Sequence, residues 1–429
     1  MNILIFNNLN PLRSSGIVGL DLYNGFKKKG HKVKLLVNEY DNNYPEGIVS
    51  LETRCSLKKR KLFEKINRRL KLKKTINTDP NYHIHELHED KLVYRTSKLL
   101  RIANIKADAI IVLFAKDFIN TKNIFELSQT TNAPVYWLMY DMAPITGGCH
   151  YAWDCVGYQK KCGSCPGLFS SDPYDATFVN LEYKKRFIDR TNIQLIAGSE
   201  WQYRQAMSSS LFKNKTIHKM LLSIDSTIFK PVDKEKHRME MGISNTKKIV
   251  FFGSVYLTHI RKGMYYLLEC FKILNEKIKG TELENNVLLL IAGMGIEEIV
   301  DSLPFEYHYL GMLDNTYGIA SAYQAADVFI CPSIEDSGPS MINQSIMCGT
   351  PVVSFEMGVS LDLVITGKTG YRAKLKDSND LAQGLYNVLT LDNNQYTEIS
   401  VFSRELALDL CSPETQIDIF ENLLLKSKN

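Results

Sequence analysis

The sequence predicts an α/β protein with two domains, each built on a parallel, doubly wound β-sheet. The chain has 429 residues, of which 45% are hydrophobic and 23% are charged, so it is long enough to bury more than one core. Short apolar runs of strand length alternate with helix-length segments along the chain, and this alternation is typical of parallel sheets covered by helices. These two observations define the predicted fold class.

The first half of the chain opens with a strand over residues 2–6, a polar turn and a helix over residues 17–29. Gly30 is expected to end that helix, because glycine adopts the left-handed backbone conformation without strain. Further strands are predicted over residues 32–37, 109–114, 135–139 and 193–199.

A second series of strands is predicted over residues 248–254, 286–295, 307–311, 327–333 and 350–355, each separated from the next by a helix-length segment. The segment from about residue 412 to the last residue has helical spacing of its apolar positions. The pattern therefore indicates a second domain of the same kind, followed by one more helix.

Composition argues against several classes of protein. No apolar run approaches the roughly 20 residues of a membrane-spanning helix, and the first residues lack the basic flank of a signal peptide. We therefore expect a cytoplasmic protein whose nine cysteines are reduced or bind metal.

The net charge of +5 is concentrated between Lys58 and Lys74, where ten of seventeen residues are Lys or Arg. Leu62, Ile66 and Leu70 recur there at four-residue spacing, so a helix in this segment is basic and amphipathic. Such a helix suits an anionic membrane, which makes a peripheral location at the inner face of the cell membrane one hypothesis. The alternative is a solvated basic helix packed on its own domain. Nucleic acid is not an expected partner, because no binding motif accompanies the charge.

Residues 332–353, PSIEDSGPSMINQSIMCGTPVV, predict a buried strand, an acidic turn, a helix and a second strand. A strand, turn and helix in this order direct free backbone N–H groups and the positive end of the helix dipole at one point, which favours a phosphate ligand. Asp336 and Gln344 lie eight residues apart and can hold hydroxyl groups on either side of a diphosphate. The alternative is an acidic turn that only caps the helix.

This segment resembles the nucleotide-sugar signature of family 4 glycosyltransferases of the GT-B class, which ends in G-T-P-V-V as in residues 349–353. Counting back from that motif, the two family glutamates fall on Asp336 and Gln344, and Glu335 is an alternative for the first. The resemblance implies two Rossmann-like domains facing across a cleft, with the last helix crossing back to the first domain. It also implies a donor site that includes the following residues: Gly16, Gly253, Gly293, Glu335, Ser337, Gly338, Pro339, Ser340, Met341 and Gln344.

The segment LSIDSTIFKP, residues 222–231, resembles the sequence with which this family enters its second domain. We therefore predict an acceptor-side domain over residues 1–222, a nucleotide-sugar domain over residues 223–411 and a C-terminal helix over residues 412–429.

Charge compensation for a leaving nucleoside diphosphate is expected from cations and helix ends, because no Asp-x-Asp pair for a metal occurs in the chain. Arg261 and Lys262 precede Gly263 at the start of a predicted helix, where the family also places basic residues. Two cations at a helix start oppose the dipole, so a bound anion would relieve that repulsion. We predict catalytic roles for Arg261, Lys262 and Asp336, without a catalytic metal.

Residues 140–168, YDMAPITGGCHYAWDCVGYQKKCGSCPGL, resemble a subgroup of these transferases that act on bacterial surface polysaccharides of the colanic acid, O-antigen or capsule type. The family histidine at the start of this motif is Tyr140 here. Asp141, at the end of a predicted strand, is the first candidate for contacting the acceptor hydroxyl and is the fourth predicted catalytic residue. Tyr140, Thr146 and His150 are the other acceptor-side candidates.

Cys149, Cys155, Cys162 and Cys165 form a cysteine-rich loop that ends in a C-x2-C pair, a spacing that favours a structural zinc site. His150 is a spare ligand. An iron–sulfur cluster and four free thiols are the alternatives. The other five cysteines stand apart in apolar surroundings and are expected in the core.

The resemblance implies a retaining hexosyltransferase that moves a sugar from a nucleotide-diphosphate donor to a lipid-linked or growing bacterial surface glycan, with a polyprenyl-linked acceptor as one possibility. Two alternatives remain open. One is a catalytically inactive homologue that acts as a nucleotide-binding or scaffold subunit, and the other is a nucleotide-sugar epimerase.

Overall fold

The computed structural model describes residues 1–12, 16–53, 77–84, 87–338 and 340–426, which fall into two compact units. The first unit comprises Met1–Gly198, Gln202–Met220 and Ile417–Asn429, and the second comprises Ser199–Trp201 and Leu221–Gln416, in each case for the residues described. The segment between Lys58 and Lys74 and the residue Pro339 lie outside the described residues.

Seven parallel strands form the sheet of the first unit, in the order β3-β2-β1-β4-β5-β6-β7. Their bounds are β1 Asn2–Asn7, β2 Lys32–Val37, β3 Ile48–Ser50, β4 Ala109–Val112, β5 Val135–Met139, β6 Ile193–Ala197 and β7 Ile217–Lys219. The five strands predicted in this part of the chain are confirmed. The sequence did not indicate β3 and β7, because each has three residues at an edge of the sheet, too few to show a pattern.

The helices of the first unit are α1 Ile17–Lys28, α2 Thr96–Ala103, α3 Thr121–Thr131, α4 Ala176–Ile188 and, from Gln202 onwards, α5 Glu200–Ser208. Gly30 follows α1 with a φ of 83°, as its predicted role as a helix stop requires. A capping box at Asn120 and Asn123 starts α3. Apolar residues from both faces of the sheet pack against these helices, which is why the strands are continuously apolar.

Six parallel strands form the sheet of the second unit, in the order β10-β9-β8-β11-β12-β13. Their bounds are β8 Lys248–Tyr256, β9 Val287–Met294, β10 Glu306–Tyr309, β11 Val328–Cys331, β12 Val352–Phe355 and β13 Gly370–Ala373. The strands predicted in this part of the chain are confirmed, and β13 is an addition at the sheet edge.

The helices that follow are α6 Lys234–Glu240, α7 Met264–Lys277, α8 Thr316–Ala325, α9 Ser340–Met347, α10 Ser360–Leu363, α11 Ser378–Leu389, α12 Asn393–Cys411 and α13 Pro413–Lys426. From Ile417 onwards, α13 belongs to the first unit. There the Phe420 ring packs edge-on against Phe26 and Tyr136, with ring centroids 5.4 and 5.6 Å away. The predicted α/β class with two Rossmann-like sheets and a C-terminal helix is confirmed.

Buried polar groups also tie the second sheet together. Asp327, at the start of β11, accepts hydrogen bonds from Ile249 N at 2.7 Å and pairs with Arg238 and Lys234 at 2.7 and 3.2 Å. This aspartate therefore has a structural role. Within the described part of the chain, no helix has the length and apolar character needed to cross a membrane.

Candidate functional site

The candidate site lies at the carboxyl ends of β8 and β11, which are parallel neighbours in the second sheet. The strands β9 and β10 lie on one side of this pair and β12 and β13 on the other, so the strand order reverses between β8 and β11. Open α/β sheets bind ligands at this kind of switch point, because the loops that leave the two strands diverge there.

The loop after β8 carries the two predicted cations. Arg261 and Lys262 lie in a single 3-10 turn, Ile260–Lys262, and α7 begins only at Met264. The sequence predicted that these two residues open the helix, but they lie in the 3-10 turn before it. Gly263 joins the two elements with a φ of 70°, and a Cβ there would lie 1.9 Å from the Pro332 carbonyl oxygen. The turn is therefore pressed against the loop that follows β11.

That second loop brings Asp336 onto both cations. Its Oδ2 atom lies 2.6 Å from Arg261 Nη1 and 2.5 Å from Lys262 Nζ, so one carboxylate oxygen serves two positive groups. Asp336 is 8% exposed. The Arg261 carbonyl also accepts from Ile334 N at 2.9 Å and from Glu335 N at 3.3 Å, which locks the two loops together.

The charges of this cluster set the ionisation of Asp336. Burial acts to raise the pKa of the carboxyl, but Lys262 and Arg261 outweigh it and hold the pKa below its ordinary value. Burial and then the same two cations lower the pKa of His259, which precedes them. Arg261 and Lys262 therefore share the carboxylate of Asp336, and the neighbouring Glu335 adds a second acidic side chain to the loop after β11.

A helix N-terminus adjoins this cluster. Ser337 and Gly338 follow Asp336 directly, and α9 starts at Ser340. Ser337 is 6% exposed, and its hydroxyl is buried without a hydrogen-bond partner. A buried hydroxyl, a helix start and two cations at one switch point form an arrangement suited to a phosphate group.

Gln344 is half-buried one turn along α9, and its amide oxygen accepts a hydrogen bond of 3.2 Å from the hydroxyl of the buried Tyr323. The side chain predicted to hold a hydroxyl group beside a diphosphate therefore already binds the Tyr323 hydroxyl through its oxygen. Glu335 is buried beside Asp336, and Met341 packs against the core of the unit.

Three predicted donor-site glycines are explained by close backbone approach. A Cβ on Gly253 would lie 2.8 Å from the Ala292 carbonyl oxygen, and one on Gly293, whose φ is 130°, would lie 1.9 Å from that of Ser254. In the first unit, a Cβ on Gly16 would lie 2.0 Å from the Asn10 carbonyl oxygen at the start of α1. Each glycine is required by packing, whatever ligand the neighbouring loop binds.

The first unit places Asp141 and His150 together after β5. Asp141 Oδ2 lies 2.9 Å from His150 Nδ1, and Asp141 Oδ1 accepts from Ala143 N at 2.7 Å. The sequence suggested these residues as separate candidates, whereas the structure makes them an aspartate–histidine pair. Such a pair fixes the orientation of the imidazole ring.

Tyr140, next to this pair, stacks on Phe114 with ring centroids 4.5 Å apart and an angle of 13° between the ring planes. Its hydroxyl is buried without a hydrogen-bond partner. Burial, and then the negative charge of Asp21, raise the pKa of this phenol well above its usual range, so Tyr140 stays neutral.

The turn after the pair depends on a residue that the sequence did not reveal. Lys184 in α4 is fully buried, and its Nζ donates to the Ala143 carbonyl at 2.8 Å and to the Thr146 carbonyl at 3.3 Å. Thr146 is also fully buried, and its hydroxyl donates to the Cys149 carbonyl at 2.7 Å. A single lysine in an ordinary helix carries no pattern that distinguishes it from a solvated one.

The four clustered cysteines line one cavity of the first unit, together with Tyr82 and Tyr158. All four are free thiols. Among the described residues, no group of three or more His, Cys, Asp or Glu is already arranged to hold a metal ion. Cys270, Cys331, Cys348 and Cys411 are buried core residues, as predicted, and Cys55 lies outside the described residues.

Comparison with known proteins agrees with the α/β fold described above. Residues 246–391, which are 146 of the 429 residues, match the family model described as Glycosyl transferases group 1. The matched residues lie within the second unit, which also carries the Arg261, Lys262 and Asp336 cluster.

Two curated relatives support this assignment. The chain is 31% identical over 152 residues to phosphatidyl-myo-inositol mannosyltransferase from Mycobacterium leprae, covering 34% of this chain and 38% of the relative. It is 24% identical over 180 residues to D-inositol 3-phosphate glycosyltransferase from an Arthrobacter species, covering 38% of this chain and 40% of the relative. The chain thus matches about two fifths of the length of these relatives.

Solved structures match over the whole chain. Sucrose-phosphate synthase from Thermosynechococcus elongatus has a TM-score of 0.65 at 17% identity, covering 99% of this chain and 98% of that one. HepE from Anabaena, solved with UDP and glucose, has a TM-score of 0.60 at 14% identity, covering 99% and 100%. WaaG, a glycosyltransferase of lipopolysaccharide biosynthesis, has a TM-score of 0.58 at 13% identity, covering 98% and 99%. The fold is that of the GT-B class.

Proposed function

We propose that this protein is a glycosyltransferase that transfers a hexose from a nucleoside diphosphate sugar to an acceptor hydroxyl. The observation that carries the proposal is the convergence of Arg261, Lys262 and the start of α9 at the switch point of the second sheet. The family match covers the same residues, and HepE, which shares the fold, was solved with UDP and glucose.

The chemistry follows from where charge develops. When the bond between the sugar and the diphosphate breaks, negative charge accumulates on the phosphate, and preorganised cations and N–H groups stabilise it. Arg261 and Lys262 are held in one short turn and can meet that charge without large movement. Asp336, which neutralises them in the unliganded protein, must give up part of this pairing when a diphosphate binds.

The Asp141 and His150 pair is the proposed acceptor-side group. A half-buried carboxylate that orients an imidazole can accept a hydrogen bond from the attacking hydroxyl and help to place it. The family resemblance implies retention of configuration, with the leaving phosphate taking the acceptor proton. In that case Asp141 and His150 position the acceptor and do not act as the general base.

The acceptor class is a further part of the proposal. The segment with Tyr140, Asp141, Thr146 and His150 resembles that of transferases for bacterial surface polysaccharides, and WaaG, which shares the fold, belongs to lipopolysaccharide biosynthesis. We infer a lipid-linked or growing surface glycan as acceptor, used on the cytoplasmic side of the membrane.

The segment between Lys58 and Lys74 would bring the enzyme to an anionic surface. Replacing its basic residues with Gln should abolish co-sedimentation with anionic liposomes. Unchanged co-sedimentation would exclude this role for the segment.

Nucleotide binding and transfer test the proposal in two steps. Thermal-shift screens with UDP, GDP, ADP, CMP and dTDP, in the presence and absence of EDTA, should show stabilisation by one diphosphate that does not need metal. The variant Arg261→Ala/Lys262→Ala should lose this stabilisation. The control Lys272→Ala/Lys279→Ala removes two exposed lysines of the same unit and should keep it. The matching nucleotide sugar should then be consumed only with an acceptor.

One observation favours a second function, a nucleotide-binding subunit without transfer activity. Gln344 stands where the family has a glutamate, and its oxygen is engaged by Tyr323. Nucleotide binding without turnover of any donor, unchanged in Gln344→Glu, would favour this alternative. A gain in turnover for Gln344→Glu would instead show that the site is an active transferase site with a weakened donor contact.

A further inference from the structure

The cavity lined by Cys149, Cys155, Cys162 and Cys165 combines features that free thiols do not need. All four cysteines line this one cavity, and a Cβ on Gly157 would lie 3.4 Å from both Cys155 Sγ and Cys162 Cα. A stretch of seventeen residues, 149–165, therefore contributes four cysteines to one cavity. The cavity lies in the first unit, apart from the phosphate site described above.

The backbone between the last two cysteines is held in an unusual conformation. Cys162, Gly163 and Ser164 have φ angles of 46°, 91° and 46°, so three consecutive residues lie in the left-handed region. Only glycine adopts this region freely, and each of the other two residues costs free energy. Hydrogen bonds from Cys162 N to the Gly157 carbonyl and from Ser164 N to the Asp172 carbonyl, at 2.9 and 2.7 Å, hold the turn.

A backbone N–H group faces one of the sulfurs. Gly157 N donates to Cys155 Sγ at 3.4 Å. Donors directed at sulfur stabilise a thiolate more than a thiol, and such second-shell groups orient the ligands of metal sites.

Four thiolates in one buried cavity repel one another unless a cation binds all of them. Thiolates coordinate zinc tetrahedrally, and a site with four cysteines and no open position is structural.

We propose that Cys149, Cys155, Cys162 and Cys165 bind one zinc ion that staples the loop carrying His150. Each cysteine loses its S–H proton to solvent as its zinc–sulfur bond forms. Within the part of the chain that the structure describes, no group of three or more side chains already stands arranged to hold a metal, so the proposal requires the four cysteines to rearrange as the ion binds. The inference is independent of the proposed transferase activity, because it concerns only the first unit.

Metal content tests the proposal directly. The full chain is purified without chelator and its zinc measured by mass spectrometry, and the expected content is about one ion per chain. Cys155→Ser and Cys162→Ser should each reduce zinc to background. Cys270→Ala is the matched control, because it removes a buried thiol of the second unit, and it should keep the ion.

A spectroscopic measurement on the unaltered chain covers the case in which a cysteine variant fails to fold. After removal of zinc and addition of Co²⁺, intense sulfur-to-cobalt charge-transfer bands and tetrahedral visible bands are expected. Zinc should displace them. Chains that hold no metal, contain iron and acid-labile sulfide, or show a disulfide among these cysteines by mass spectrometry would each overturn the proposal.

Discussion

Replacing Asp336 with Asn should have effects of opposite sign on stability and on nucleotide affinity. The substitution keeps the size of the side chain but removes the charge that Arg261 and Lys262 share. In the unliganded protein the two cations then lie side by side without their counter-ion. A bound diphosphate can act as the counter-ion instead, and it is no longer repelled by the Asp336 carboxylate.

The structure allows both magnitudes to be worked out. Breaking a buried ion pair by removing one partner costs about 3–5 kcal/mol, but the two cations keep 19% and 20% of their side-chain surface exposed. We therefore expect a loss of about 2–3 kcal/mol, which in a unit of about 200 residues lowers Tm by roughly 5–10 °C. In the unaltered protein, the Asp336 carboxylate repels a bound diphosphate. For two unit charges about 6 Å apart in a medium of effective dielectric constant about 20, this repulsion is about 3 kcal/mol.

Salt and solvent weaken that repulsion, and at least about 1.4 kcal/mol of it should remain. Removing it in Asp336→Asn should therefore raise the affinity for the diphosphate about tenfold. Calorimetric titration with the nucleoside diphosphate measures this affinity. Because the ligand carries no sugar, a contact between Asp336 and the donor sugar does not affect the result. Transfer activity should fall despite the tighter binding, since Asp336 is also a predicted catalytic residue.

Asp327→Asn is the matched control for this prediction. It removes another buried aspartate of the second unit, paired with Arg238 and Lys234, and should lower Tm without raising affinity. If Asp336→Asn binds the diphosphate no better than the unaltered protein, the carboxylate does not compete with the ligand. The assignment of the two cations to the phosphate site would then be wrong.

Three further predictions concern stability. Lys184→Met should cost about 2–4 kcal/mol in urea unfolding, because two buried carbonyls lose a charged donor; a loss under 1 kcal/mol would contradict its role in the turn. Gly293→Ala should cost more than about 3 kcal/mol, because a Cβ at φ 130° meets the Ser254 carbonyl oxygen; a folded variant with unchanged Tm would refute this packing. The pKa values of Asp327 and Asp336 are lowered in the folded state, so their stabilisation is complete above about pH 4 and is lost as pH falls through the folded pKa. The free energy of unfolding should therefore fall as the pH is lowered from about 6 to 3, and it should fall less steeply in the Asp336→Asn variant.

Comparison of strands and sites shows which features local sequence can predict. The central strands were found because each is a continuous apolar run, and a run of four or more buried residues is visible without knowing its neighbours. The short edge strands Ile48–Ser50 and Gly370–Ala373 were not found, because an edge strand is defined by its partner and not by its composition. The helix that follows β8 was predicted to begin at Arg261 and Lys262, one turn too early, since a 3-10 turn and an α-helix begin with similar residues.

The sequence by itself determined the α/β class, the two series of strands and the segments that hold the candidate phosphate and acceptor groups. These features depend on residues close together in the chain, whose spacing records which face is buried and where a turn must fall. Only the tertiary structure decided that Asp336 neutralises cations 74 and 75 residues away, and that Lys184 lies beneath a turn 38 to 41 residues distant. The physical reason is that charge pairing depends on distance in space, and packing of the sheet sets that distance.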